Sequence, residues 1–375
     1  MTKDKILIIG AGISGCVLAE RYANKKDKTV LIVEKRDHIG GNCYDYTNSI
    51  GLRINKYGPH YFRTNDAIVW NYVQKFSKWR PFEARCVSHV DGKRVCIPVN
   101  IDTINIIFNT KIKDEVEMKE FLYKQTAKIK IPKNSEESAL KRVGKKLYEK
   151  MFKNYTTKQW GRKPEELDPS VMDRIPVRFN HDNRYFTEKY QMYPVNGYTE
   201  IFENMLDHKN IKVKLKTEWD YKKNSIKGYE KIFLTGRIDS YFNEKLGRLE
   251  YRSLRFEEIN LDQEWFQETV QENYPDMNIP FTRIVEYKHL TGQINPRTTI
   301  VKEYPASDGE PYYPIPSERN RKIYEKYRNQ AQLLKKKNIY FVGRLANYKY
   351  FNMDQAFKNA LDLFNKIEGM RYETN

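Results

Sequence analysis

The 375-residue sequence is poor in cysteine and histidine, with four of the first and six of the second. Cys16, Cys43, Cys86 and Cys96 fall in no metal-type spacing, which excludes a zinc ribbon, and they are too few for a disulfide-stapled scaffold. They read as reduced, mostly buried thiols of a cytoplasmic protein; Cys86 and Cys96 are the pair that could meet across a hairpin. Long apolar runs are missing too. None approaches the ~20 residues that cross a bilayer, so no integral membrane segment is expected. Lys3, Asp4 and Lys5 precede only a short apolar strand, unlike a secretory leader. Repeats and low-complexity linkers are lacking. Acidic residues are outnumbered, 49 Asp and Glu against 67 Lys and Arg, for a formal net charge of +18. The lysines are spread in short runs such as Lys25-Lys26 and Lys335 to Lys337, the pattern of solvated helix faces rather than of a nucleic-acid stripe. Their summed field favours an anionic small substrate.

What is present is organised around Lys5 to Asn42. An apolar run, Ile6 to Ile9, enters a turn with Gly10, Gly12 and Gly15; an amphipathic segment follows, then a second apolar run, Val30 to Val33, ending in Glu34. This is strand, turn, helix, strand, acid. Gly10 permits the tight turn, Gly12 lets backbone approach a pyrophosphate, and Gly15 lets the helix pack on the strand. The helix N-terminus offers N–H groups and a positive dipole end to phosphates. Glu34 is placed to hydrogen-bond a ribose hydroxyl and argues against a 2′-phosphate. Gly40-Gly41-Asn42 is more than a plain NAD fold needs; such a pair lets backbone pass close to an FAD.

Further along, Cys43 to Tyr46 and Leu52 to Asn55 should pair as strands, and Gly58-Pro59 makes Lys56 to Thr64 a rigid loop. Asp66 can cap a helix. Asp91-Gly92 signals a hairpin between Cys86–Val90 and Lys93–Ile97. From Asp102 to Asn154 the chain turns helical, with Asn134 and Glu137 as a capping box. Lys153 to Phe186 is rich in aromatics and arginines without clean periodicity, as functional loops are. Gly197 to Leu206 reads as a helix, and Ile211–Leu215, Ile232–Leu234 and Ile339–Val342 as buried strands. YRSLRFE and FTRIVEYKHL read as antiparallel strands, and Pro316-Ser317 opens a long polar helix. The fold class expected is α/β: a Rossmann-like FAD-binding domain with an inserted helical domain and an inserted antiparallel sheet domain. The expected boundaries are 1–80, 207–245 and 317–375 for the first, 100–180 for the second, and 81–99, 181–206 and 246–316 for the third.

Several blocks together carry a family pattern: GAGISG with VEKRDHIGGN, KYGPH, NYTTKQWGRKPEELDPSVMDRIPVRFN, RYFTEKYQMYPVNGYTEIFENML, LEYRSLRFE, FTRIVEYKHL, EPYYPIP and FVGRLANYKYFNMDQAF. Over nearly its whole length the chain resembles the UDP-galactopyranose mutases, flavoenzymes that interconvert the pyranose and furanose forms of a nucleotide-linked galactose. The resemblance implies reduced FAD, with NAD(P)H as the reductant, and a reaction through an adduct between flavin N5 and the sugar. It implies a homodimer acting on a nucleotide sugar in polysaccharide biosynthesis. By the same resemblance Arg174 and Arg283 hold the diphosphate, Arg252 supports that pocket, and Tyr155, with Phe152, stacks on the uracil. Trp160 lies by the sugar and diphosphate, Tyr185, Tyr313 and Tyr350 surround the diphosphate, and His60 faces the flavin. Arg344 lies near the cofactor pyrophosphate, and Ser14, Lys35, Gly41, Asn42 and Met353 belong to the cofactor site. Taken without the resemblance, Arg174 and Arg283 are as readily structural ion pairs with Asp173 and Glu286. The segment from Lys153 to Arg174 is expected to close over the nucleotide as a lid.

Four positions depart from the family pattern: Pro59 for alanine, Arg63 for histidine, Ala84 for asparagine and Asn352 for aspartate. Arg63, Ala84 and Asn352 suggest a roomier, more positive sugar pocket, suited to an N-acetylated or deoxy hexose. The competing class is a flavin oxidoreductase of the amine-oxidase type, which shares the N-terminal unit.

Overall fold

The structure is a computed structural model and describes residues 5–221 and 223–372; Lys3 and Asp4, which precede the first strand, lie outside the described residues. Ile6, Leu7 and Ile8 are fully buried because their strand, Lys5–Ile9, has neighbours on both edges and helices on its faces. Thr29–Val33 and Lys231–Leu234 flank it in parallel, and Ile211–Lys214 and Ile339–Phe341 complete a five-stranded parallel sheet. The turn after the first strand admits only glycine at two points. A Cβ on Gly10 (φ +106°) would lie 2.0 Å from Thr235 Oγ1, and one on Gly15 would lie 2.0 Å from the Gly10 carbonyl oxygen. Helix Ile13–Lys26 then packs on helices Tyr198–Leu206 and Met353–Glu368. Helix Tyr198–Leu206, expected with the sheet domain, thus shares its core with the nucleotide-binding unit.

The second layer is a seven-stranded sheet in the order Tyr313–Pro314, Tyr251–Leu261, Thr298–Ala306, Arg283–Glu286, Gln271–Asn273, Cys86–Val90, Lys93–Ile97. It differs from the expectation in two ways. Gln271–Asn273 pairs in parallel with Cys86–Val90, so the sheet is mixed. The strand read through FTRIVEYKHL stops at Glu286, and Tyr287–Thr291 is a helix. The reason is the demand of two buried charges. The Glu286 carboxylate accepts from Thr298 Oγ1 and the Gln267 N–H. The Lys288 ammonium donates to the carbonyls of Glu264 and Asn295. In the Asp91-Gly92 hairpin Cys86 lies opposite Ile97 while Cys96 lies opposite Val87, so the two cysteines point to opposite faces. A small sheet, Phe62–Thr64, Tyr190–Pro194 and Trp79–Pro81, joins segments expected in different domains.

Asn100, Asp114 and Asn134 cap helices Ile101–Phe108, Glu115–Gln125 and Ser135–Leu147 through their side-chain oxygens. These helices share a core with the Cys86–Ile97 hairpin through Val95, Ile104, Met118 and Leu147. Gly144 (φ 79°, ψ 171°) kinks the last of them where a Cβ would lie 2.4 Å from the Gln125 carbonyl oxygen. The chain continues as a π-helix, Tyr148–Lys153, into the short helix Asn154–Trp160. π-Helical turns are uncommon and cluster where a chain must be re-aimed toward a site.

Candidate active site

The helical layer, the mixed sheet and the C-terminal end of the parallel sheet meet around a cavity of about 650 Å³. From the helical side it is lined by Phe152, Tyr155, Trp160 and Arg174. The mixed sheet supplies Gln271, Asn273, Arg283 and Tyr313, and the loop before helix Met353–Glu368 supplies Arg344, Tyr350, Asn352 and Met353 itself. Asn42, His60, Arg63 and Tyr185 also line it.

Arginines dominate its electrostatics. Arg283 Nε donates to Glu303 Oε2 at 2.7 Å and Nη1 to Gln271 Oε1 at 3.2 Å. Glu303 is fully buried, and its other oxygen has no hydrogen-bond partner. Burial raises the Glu303 carboxyl pKa, although Arg283 opposes this, and the pairing holds the Arg283 guanidinium charged despite its own burial. Arg283 therefore pairs with Glu303, not Glu286. Arg174 has no carboxylate partner among the described residues; Asp173 is taken by Ser138 Oγ at 2.6 Å. Instead the Arg174 guanidinium lies 4.1 Å from the Tyr350 ring centroid. Arg344 also lacks a carboxylate: its Nη2 donates to the Phe351 carbonyl at 2.6 Å, 5.0 Å from the Tyr350 centroid. Tyr350 stacks on Tyr313 at 5.5 Å, and Trp160 lies 6.3 Å from Tyr313. Burial alone would raise the Tyr350 hydroxyl, but Arg174, Arg344, Arg283 and Arg63 together pull it below the ordinary tyrosine value. Tyr313 moves the other way, to about 12, chiefly through burial. Such a field, set into a partly dry wall, is built to receive an anion.

His60 Nδ1 lies 2.9 Å from the Gly58 carbonyl oxygen, which can only accept, so the proton sits on Nδ1 and Nε2 is left as an acceptor. Burial and then Arg344 push its pKa down to about 4, so the ring is neutral at neutral pH. Gly10, Gly12, Ser14, Gly15 and Glu34 lie outside this lining, at the carboxyl ends of the parallel strands. Glu34 accepts from the Ala11 and Arg36 N–H groups at 2.7 and 2.9 Å, one on each oxygen, fixing the glycine turn while each oxygen keeps a lone pair. A Cβ on Gly41 would lie 2.8 Å from Gly12 Cα, and one on Gly343 2.8 Å from Ser14 Oγ. The glycines let these segments pack directly against the turn, and no acid occupies the first turn of helix Ile13–Lys26.

Three expected site residues are placed elsewhere. Arg252 is nearly buried outside the lining, and its guanidinium donates to the carbonyls of Lys158 and Gln159 and to Ser307 Oγ. Lys35 is turned away to a surface ion pair with Glu310 at 2.6 Å. Ala84 is buried behind the wall, its carbonyl accepting from the Tyr185 N–H at 2.7 Å, so it opens no space in the cavity. Arg63 does line the cavity, but Glu188 offsets its charge at 2.9 Å and Phe186 lies 3.7 Å beneath its guanidinium. The expected gain in positive charge at that edge is thus partly offset, though Arg63 still contributes to the field on Tyr350. Glu303, Gln271 and Glu188 are the residues that the sequence reading missed. Strand alternation offered one signal: residues 283 and 286 lie on opposite faces of a strand and cannot share a pocket.

The parallel sheet, the glycine turn and the arginine-lined cavity define a Rossmann-like protein with a cationic cavity at the end of its sheet. Comparison with known proteins then narrows the class. A UDP-galactopyranose mutase family model matches residues 150–350, and an NAD(P)-binding Rossmann-like domain model matches residues 8–76. The chain is 38% identical to a probable UDP-galactopyranose mutase of Klebsiella pneumoniae over 96% of this chain and 94% of that one. It is 37% identical to the dTDP-fucopyranose mutase of Escherichia coli, over 96% and 97%. A crystal structure of reduced UDP-galactopyranose mutase superposes with a TM-score of 0.76 at 15% identity, covering 99% of this chain and 97% of the other. The chain belongs to the UDP-galactopyranose mutase family, and it is a sugar-nucleotide pyranose mutase. No helix among the described residues is long and apolar enough to cross a membrane.

Proposed function

We propose that the protein interconverts the pyranose and furanose forms of a nucleotide-linked hexose on reduced FAD, with UDP-galactose the simplest substrate. The observation that carries this reading is Arg174 in the cavity wall, with no carboxylate partner among the described residues, in the same lining as Arg283. A diphosphate that must leave the sugar and return to it needs such a grip. The glycine turn and Arg344 would hold the cofactor diphosphate, Glu34 its ribose, and Asn42, His60 and Met353 the part that enters the cavity. Bound and reduced, the flavin supplies a nucleophilic ring nitrogen for the anomeric carbon, with no net redox change. The chain's own residues do the rest. Arg174 and Arg283 take the departing diphosphate, Tyr313 and Tyr350 hydrogen-bond it, and Tyr155 with Phe152 covers the base. Trp160 walls the sugar from water, which would otherwise capture it. Neutral His60 offers an acceptor without adding charge beside the arginines.

A second reading has its own support, the near-equal likeness to a dTDP-fucopyranose mutase. In it the preferred sugar is a 6-deoxy or N-acetylated hexose. The test is incubation of the protein with dithionite and UDP-galactose, UDP-N-acetylgalactosamine or a dTDP-6-deoxyhexose, with furanose product separated by HPLC. A furanose from UDP-galactose at the highest kcat/KM supports the first reading. Clear preference for another sugar supports the second. Oxidation of the sugar in proportion to flavin reduction in a parallel incubation without dithionite, with no furanose in either, would replace both with an oxidoreductase.

A further inference from the structure

Helix Asn154–Trp160 carries Tyr155 and Trp160 on its cavity side but enters from the helical layer through a kink and a π-helix. Two cationic ties fasten it to the mixed sheet, and both meet at Lys158. The Lys158 carbonyl accepts from Arg252 Nη2 at 3.2 Å, while its ammonium donates to the Tyr274 carbonyl at 2.7 Å and the Asp276 carbonyl at 2.9 Å. The receiving turn is firm. The Tyr274 ring stacks on His89 at 4.4 Å and meets Phe281 edge-on at 5.0 Å. That turn continues the strand Gln271–Asn273, whose end residues line the cavity. Lys158 thereby sets the distance between Tyr155 on one wall and Gln271 and Asn273 on the other.

We propose that Lys158 is a positioning residue for the nucleotide, its ammonium acting as the latch that holds the Tyr155–Trp160 helix against the sheet. The role rests on the nucleotide-sugar reading of the cavity. The latch makes no hydrogen bond to a carboxylate, although the Asp276 carboxylate lies near enough to attract the ammonium. It consists of an ammonium on two neutral carbonyls, half withdrawn from water, and this makes it weak enough to open as a nucleotide enters and to close behind it. The Arg252 tie at the helix C-terminus, where a cation also complements the helix dipole, then serves as the fixed end.

The experiment uses Lys158→Met, which keeps the apolar stem, and Lys145→Met, which removes the same charge from an exposed site on the same layer. Amide hydrogen exchange over residues 154–160 in ligand-free protein reads the latch, and isothermal titration with UDP reads its consequence. Lys158→Met is expected to speed exchange in that segment and to weaken UDP binding about tenfold. Its kcat should remain within about twofold of wild type, and Lys145→Met should change neither quantity. Unchanged exchange in Lys158→Met, or an equal loss of UDP affinity in Lys145→Met, overturns the proposal; the second would reduce it to general attraction of an anion. Faster exchange with unchanged affinity overturns the positioning role while leaving the tie. Failure of the nucleotide-sugar reading would show separately, as wild-type protein that neither binds UDP nor yields furanose.

Discussion

Arg283 and Glu303 stand directly opposite each other on adjacent antiparallel strands, and their side chains close a buried ion pair of 2.7 Å beneath the cavity floor. The pair both orients the guanidinium and half-neutralises it. Removing one partner leaves the other charged and dry, at a cost of ~3–5 kcal/mol for buried pairs. Arg283→Ala and Glu303→Gln are therefore expected to lower unfolding stability by amounts of that order in urea denaturation, with loss of UDP affinity in the first. Stability equal to wild type in both would mean that the pair is not closed in solution.

Arg174 makes the contrast. It has no carboxylate partner among the described residues to orphan, so Arg174→Ala should cost no more than about 1 kcal/mol of stability, the scale of its stacking on Tyr350. Its charge-assisted contacts with a diphosphate are worth ~1.5–3 kcal/mol, so UDP affinity should fall at least tenfold. Titration calorimetry beside a thermal melt separates the two effects. A large stability loss with little loss of binding would reverse the assignment.

The four arginines around Tyr350 make its hydroxyl the first tyrosine in the cavity to ionise. An alkaline titration followed by phenolate absorbance should show an early component that Tyr350→Phe removes. Saturating UDP should move that component to higher pH, because the bound anion cancels the field that favours phenolate. An early component insensitive to UDP would place the anion elsewhere.

His60 gives a pH dependence with a definite sign. Its pKa in the fold, about 4, lies below the 6.5 of an exposed histidine. Above about 6.5 neither state binds the proton and His60 adds no penalty. As pH falls toward about 4 the unfolded chain takes up a proton that the folded chain refuses, and stability is lost; below that the loss is complete. The gap corresponds to at most about 3–4 kcal/mol, and to less because His60 is only partly buried. His60→Gln should flatten this portion of the stability profile between about pH 6.5 and pH 4, and an unchanged slope would refute the buried, neutral state.

The nucleotide-binding unit was legible because its signals are local. Glycine spacing, an apolar run and an acid at the next strand end lie within forty residues, and the backbone obeys them at Gly10, Gly15 and Glu34. What stayed hidden depended on register and on long-range packing. No spacing announces that Arg283 meets Glu303 across a strand pair, or that Arg252 spends its charge on a helix end. Ala84 could be expected at the sugar only because its segment runs there; the fold buries it outside the cavity lining, with its carbonyl bonded to the Tyr185 N–H. Strand periodicity misled once, at Tyr287, where two buried charges demanded a helix in an alternating stretch.

The strand order of the parallel sheet also bears on how the chain folds. Lys5–Ile9 has Lys231–Leu234 as its partner on one edge, and beyond that lies Ile339–Phe341. Until those distant segments dock, one edge of this buried apolar strand is unpaired. Pairings so distant in sequence slow folding and prolong the exposure of sticky edges. The glycine turn is itself completed by such distant segments, Thr235 against Gly10 and Gly343 against Ser14, so it reaches its final shape only after the far strands have paired.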